Sequence, residues 1–291
     1  VSPLSPSILN RHPSILGALL LVACTGTDGT LVVRHDGGSG APAAVAGAPA
    51  VAPDPYVPPA NVRWRAQLDG AVDIQQEAEL FYLDAEQQDP DDLATLRAQG
   101  RPYLCYLSAG SVESYREDAA EFPARAIGNT LENYPRERWL DVRDSAVRGL
   151  MAKRVTALSA FGCAGVPPSS LSVHIADTGF DLSLNDALDY ASWLAERIHA
   201  AGMSAGLTGP STLTTELWRI FDFGLAISCV NGSGCSEYAP FLSAKKTVLH
   251  LEVGDEGDAP AICNAAKSLG FDALVSDAGF TGQSIACSDL P

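Results

Sequence analysis

Asp84 and Glu252 each close a short apolar run. Two carboxyl groups flanking a ligand, about 5 to 10 Å apart, are what acid–base cleavage of a glycosidic bond requires. Tyr106, Ser108 and Asp277 stand at comparable places, and the five together offer hydroxyl and carboxylate partners for a sugar. A plainer role is open to each of them: tying down a loop where a strand ends. The five histidines are isolated, with no His-x-x-x-His spacing, so His199 and His250 read as ordinary interior or surface residues. Gly-x-Ser-x-Gly is absent as well, because Gly232-Ser233-Gly234 sits in an expected turn. Asp89-Pro90-Asp91-Asp92 reads as the acidic start of a helix rather than a cation site. No cofactor and no metal is expected.

Of seven cysteines, Cys24 lies in an N-terminal apolar segment and six remain: Cys105, Cys163, Cys229, Cys235, Cys263 and Cys287. An even set without zinc-type spacing suggests disulfides, and Cys229 and Cys235 are the favoured pair because they bracket Asn231-Gly232-Ser233-Gly234. Cys105 and Cys163, in apolar surroundings, are open to the alternative of free, buried thiols.

The 291 residues suit one barrel plus a tail. With 46% hydrophobic and 19% charged residues there is ample surface to bury. A net charge of −16 disfavours nucleic acid and anionic lipid, and favours cationic or neutral partners. Arg11, an apolar run over 15–23 and then Cys24 form an export signal too short to span a bilayer. Leu21-Val22-Ala23-Cys24 resembles a bacterial lipobox, so residues 1–24 are expected to be a lipoprotein-type signal with Cys24 lipidated. The chain then belongs to the cell envelope, touching membrane only through a lipid anchor; an ordinary secreted protein is the alternative. Residues 25–60, rich in Gly, Ala and Pro, read as a flexible tether, and 61–291 as the folded domain.

The elements that would position these groups are eight short apolar runs at 62–68, 79–84, 102–108, 162–166, 203–208, 223–228, 247–252 and 272–276, separated by helical patterns. An extra extended piece at 139–142 belongs to a long insertion between the third and fourth runs. Ala187, Tyr190, Ala191, Leu194 and Ile198 recur at three- and four-residue spacing, with Ser183 and Asp186 as a capping box and Gly202 as the stop. Val147, Leu150, Met151, Val155 and Leu158 mark a second such helix. The class is α/β, and eight strands favour a single (β/α)8 TIM barrel over an open doubly wound sheet.

Several ordered blocks resemble glycoside hydrolase family 114, whose activity is endo-cleavage of α-1,4-linked galactosamine polymers. They include Leu104-Cys105-Tyr106-Leu107-Ser108-Ala109-Gly110-Ser111 with Glu113 and Tyr115-Arg116, then Glu137-Arg138-Trp139-Leu140-Asp141-Val142-Arg143, Asp177-Thr178-Gly179-Phe180 and Tyr238-Ala239-Pro240-Phe241. The resemblance implies a (β/α)8 barrel with acidic residues in Gly-Val-Asp/Glu-Pro-Asp-Asn closing the fourth strand and in Asn-Glu-x-Cys closing the sixth. Here the first block reads Gly165-Val166-Pro167-Pro168-Ser169-Ser170, and the second Ala226-Ile227-Ser228-Cys229. A third, Gly-Leu-Lys-Asn in the family, is Gly206-Leu207-Thr208-Gly209. Pro167, Ser169 and Ile227 thus occupy the carboxylate positions, and none of them moves a proton near neutral pH. The expectation is a relative of the polygalactosaminidases that binds carbohydrate, such as a cationic amino-sugar polymer, without cleaving it. An active glycosidase using Asp84 and Glu252, or a structural or interaction module, are the alternatives.

Overall fold

A computed structural model of the chain describes residues 54–232 and 234–290. The signal, Cys24 and most of the expected tether lie outside these residues. Within them, all eight expected strands form one parallel succession: β1 Trp64–Gln67, β2 Leu80–Leu83, β3 Tyr103–Cys105, β4 Gly165–Val166, β5 Ser204–Leu207, β6 Phe223–Ile227, β7 Val248–Val253 and β8 Asp272–Ser276. A ninth, β9 (Ser284–Ala286), folds back antiparallel on β8. The ring closes through side chains rather than a ladder between β1 and β8: Trp64 Nε1 donates to the Asp272 carbonyl, and the Asn61 amide donates to the Asp272 carboxylate.

Seven helices are seen among the described residues: α1 Pro90–Ala98, α2 Ser145–Phe161, α3 Leu184–Ala200, α4 Ser211–Leu217, α5 Cys229–Gly232, α6 Ala239–Ser243 and α7 Ala259–Leu269. No helix among these residues is long and apolar enough to cross a membrane. The α2 and α3 stripes read from spacing are buried. Ser183 and Asp186 exchange the capping-box bonds, and Gly202, at φ +79°, provides the left-handed stop. Asp89 caps α1 by accepting from the Asp91 amide at 2.9 Å, in agreement with the helix reading of that acidic run.

Strand alternation sorts the core into two shells. Trp64, Leu80, Tyr82, Leu104, Phe223, Leu225, Leu249, Leu251 and Leu274 fill the barrel, while Phe81, Leu83, Tyr103, Val166, Ala205, Leu207 and Ala226 meet the helices. At about 1.5–3 kcal/mol for each fully buried large side chain, this double layer is the main force holding the strands in place.

The last turn of the expected tether belongs to the folded body: Tyr56 packs on the inner cluster, and the Pro58 carbonyl accepts from Thr247 Oγ1 at 2.7 Å. The insertion after β3 is a three-stranded antiparallel sheet of Ser111–Glu113, Tyr134–Leu140 and Ile127–Leu131; of the expected extended piece 139–142, residues 139–140 end the central strand and 141–142 lie beyond it. Cys229 pairs with Cys235 as anticipated. The alternative of free thiols at Cys105 and Cys163 is corrected, because the two are bonded to each other, and Cys263 pairs with Cys287. Cys105 ends β3 and Cys163 leads into the adjacent β4, so the neighbouring strands bring the two sulfurs together.

Candidate active-site cleft

The strand ends open into a cleft of about 660 Å³ at the C-terminal face of the barrel, where barrels of this kind carry their sites. Its floor is Tyr82, Asp84, Tyr106, Ser169, Ile227 and Leu251, and its walls come from the loop after β8 (Ala278, Gly279, Phe280) and from the insertion (Leu131, Tyr134, Arg136, Glu137). A side pocket of about 340 Å³ continues past Ser170 and Ile227 to Thr208, Pro210 and Glu237.

On the β2–β3 side a single guanidinium organises the charge. Arg116 donates to both Asp84 oxygens, at 3.0 and 2.7 Å, to Glu113 at 2.9 and 3.0 Å, and to Glu86 at 3.0 Å. Its face lies against Tyr115 and Tyr106. Burial opposes its charge, yet the ring of carboxylates holds Arg116 far above the ordinary arginine value. Arg154 grips Asp118 with two nitrogens at 2.8 and 2.7 Å; burial works against ionisation, but the arginine outweighs it and keeps Asp118 below the usual carboxylate range.

Glu137 differs from its neighbours. Its carboxylate lines the cleft, accepts from Ser111 Oγ at 2.8 Å, and makes no ion pair among the described residues. Burial pushes this carboxyl above the usual value, and Glu113 beside it adds to the rise, while the Ser111 hydroxyl pulls the other way. Burial likewise raises the Tyr106 phenol, with Glu113 and Glu137 reinforcing it.

The opposite side, at the ends of β4, β5 and β6, carries Pro167, Ser169, Thr208 and Ile227, none of them ionisable near neutral pH. Ile227 follows the inward parity of Phe223 and Leu225 and is 40% exposed at the cleft. Pro167 lies inside the ring against Gly206, where any Cβ would overlap Pro167 and the Phe223 ring. The backbone is nonetheless held in special conformations: Ser170 has φ +59° and Ser228 φ +50°, a region where non-glycine residues are uncommon and asparagine is enriched. Gly110 lets the β3 loop lie directly on the Ser170 carbonyl, a contact that a Cβ would block.

Of the five residues singled out from sequence, Asp84 and Tyr106 line the cleft. Ser108 is buried beneath it, bonded to Ser111 and close to Ser170. Asp277 ties its own loop by accepting from the Gly279 and Thr281 amides, which sets Phe280 at the rim. Glu252 is not among the lining residues: Leu249 and Leu251 take the inward parity of β7, so His250 and Glu252 face the helices. There Glu252 accepts from the Val230 and Asn231 amides and from His250 Nε2 at 2.8 Å. Asp84 and Glu252 are therefore not a facing pair, and Asp84 is bound on both oxygens by Arg116. Sequence reasoning gave no role to Arg116 and Glu137, although both lie in quoted blocks; the alternation of exposed Arg136 and Arg138 with buried Glu137 was the available signal.

The sequence profile described as "Glycoside-hydrolase family GH114" matches residues 45–290. The crystal structure of Ega3 from Aspergillus fumigatus in complex with galactosamine superposes with a TM-score of 0.76 at 27% identity, covering 80% of this chain and 98% of that one. The glycoside hydrolase domain of PelA from Pseudomonas aeruginosa gives 0.61 at 14%, covering 79% and 99%, a likeness of fold. An α-galactosidase from Thermus thermophilus gives 0.51 at 12%, covering 76% and 59%, again a likeness of fold. No match was found among curated proteins. With the profile spanning the entire barrel, and with the blocks around β3, the insertion and β6 sitting where the cleft is built, this chain belongs to glycoside-hydrolase family GH114.

Proposed function

We propose that this chain is a non-cleaving member of the family that binds a cationic amino-sugar polymer outside the cell. The single observation that carries the reading is Glu137: a cleft-lining carboxylate beside Glu113, with no ion pair among the described residues, offers a protonated sugar amine a partner. Tyr106, Tyr115 and Tyr134 supply flat apolar surface next to it. The structure of Ega3 with galactosamine supports the choice of ligand. Loss of cleavage follows from Pro167, Ser169 and Ile227 at the positions where the family carries acids, since losing acid–base assistance alone costs about 10²- to 10⁴-fold. Three disulfides favour an oxidising compartment, in keeping with export; lipidation at Cys24 and attachment to a bacterial envelope complete the proposal.

A second reading, hydrolysis through relocated groups, has one observation in its favour, the raised Glu137 carboxyl, which suits a general acid. It lacks an untethered base, because Asp84 is held by Arg116. The test is incubation of the purified chain with a galactosamine oligomer, following heat of binding and new reducing ends together. Binding without new ends is expected. Ends that vanish in Glu137→Gln would replace the first reading with the second, and absence of both signals would leave a structural module.

A further inference from the structure

Behind the barrel wall, on the helix side of β7, Cys229, Cys235 and His250 are brought together: the two sulfurs and a ring nitrogen of His250 lie within 4.8 Å of one another. His250 is fully buried. Its Nε2 is taken by Glu252 at 2.8 Å, while its Nδ1 is buried and has no hydrogen-bond partner among the described residues. A buried imidazole satisfied on one side only is an unfavourable arrangement. The Glu252–His250 pair has the form that fixes and orients metal-binding histidines: a carboxylate on one ring nitrogen, and the other aimed at the ligand position. Glu252 is itself anchored by the Val230 and Asn231 amides, so both the histidine and the start of α5, which carries Cys229, are set by one carboxylate.

We infer that Cys229, Cys235 and His250 form a binding site for a thiophilic divalent ion, zinc above all, that becomes available when the Cys229–Cys235 disulfide is reduced. A dithiol reductant delivers two electrons and two protons to the disulfide and is itself oxidised to a disulfide. The incoming ion then displaces both thiol protons and is held by two thiolates and the Nδ1 lone pair. Two sulfurs and one nitrogen leave a fourth tetrahedral position for solvent. Access is short, because Cys229 borders the side pocket beside Ile227. The spacing of the two cysteines and the histidine matches no zinc motif. The site is built instead by the outward parity of β7 meeting a turn that the disulfide closes. This proposal is independent of whether the cleft binds or cleaves sugar.

The test treats the full chain with a phosphine reductant, exchanges it into zinc-free buffer and titrates zinc. One equivalent is expected to bind to the reduced chain and none to the oxidised chain. X-ray absorption at the zinc edge should show two sulfurs at about 2.3 Å and one nitrogen at about 2.0–2.1 Å. Cys229→Ser with Cys235→Ser, which leaves the other cysteines unchanged, should abolish binding, and Glu252→Gln should weaken it about 10- to 100-fold. The absorption spectrum of the unmutated chain decides the matter even where a variant fails to fold. A reduced chain that zinc neither binds nor refolds, a shell without two sulfurs and a nitrogen, or unchanged binding in the double-serine chain would each overturn the site.

Discussion

The two sides of the cleft are built on the same scaffold and differ in chemistry. At β2, β3 and the insertion, three carboxylates (Asp84, Glu86 and Glu113) are hydrogen-bonded to Arg116, and a fourth, Glu137, is held by the Ser111 hydroxyl. At β4, β5 and β6 the corresponding places hold a proline, hydroxyls and an isoleucine, yet the backbone keeps its left-handed turns at Ser170 and Ser228. The contrast teaches that backbone geometry and proton chemistry are separable. The first is enforced by packing on every side, for Gly110 and Gly206 tolerate nothing larger. The second resides in a few side chains that packing does not require.

The largest expected effect comes from placing carboxylates at the ends of β4 and β6. Pro167→Asp combined with Ile227→Glu should raise release of reducing ends from a galactosamine oligomer by about 10²-fold or more over the parent chain. No gain would mean that these strand ends do not present a carboxylate in working geometry, and the contrast would fail. Next, on the charged side, Arg116→Ala strands buried carboxylates, and denaturant unfolding should show a loss of about 3–5 kcal/mol. A loss within about 0.5 kcal/mol would show that the network is solvated and organises nothing.

Glu137 gives a subtler handle. Its carboxyl is raised in the folded state, so the folded chain holds that proton to higher pH than the unfolded chain does. Its contribution to stability therefore falls as pH rises from the ordinary glutamate value through the raised one. Affinity for a protonated amino sugar should move the opposite way over the same window, growing as Glu137 ionises. Glu137→Gln should flatten both curves, as read by thermal melts and calorimetry across pH. Parallel rather than opposed trends would detach Glu137 from the ligand. The smallest effect is expected at the rim: Tyr134, 56% exposed, should cost about 0.5–1.5 kcal/mol of sugar binding as Tyr134→Ala while leaving stability within about 0.5 kcal/mol.

Strands and helices were legible because burial imposes a period on the sequence. Runs of Leu, Phe, Val and Ala marked the eight strands, and the α3 stripe with its capping box was readable to the residue. The site was legible only in part. Asp84 and Tyr106 were found because they end inward-facing runs. Glu252 was misplaced for want of a parity check, since Leu249 and Leu251 already claim the inside of β7. Glu137 and Arg116 belong to no strand end: they reach the cleft through a fold-back of the insertion, and tertiary return of that kind leaves only a faint two-residue alternation behind. The pairing of Cys105 with Cys163 was equally hidden, because adjacency of β3 and β4 depends on the ring and not on their sequence separation of 58.

That cross-link encloses the whole insertion together with α2 in a covalent circle. In the chain-entropy picture, closing 58 residues confines the unfolded ensemble by roughly 4 kcal/mol. A protease cutting at the exposed Tyr134 hairpin would thus produce two fragments that still travel as one molecule and separate on a gel only after a thiol is added. In a medium full of foreign proteases, the jaw that carries Glu137 can be severed without being shed.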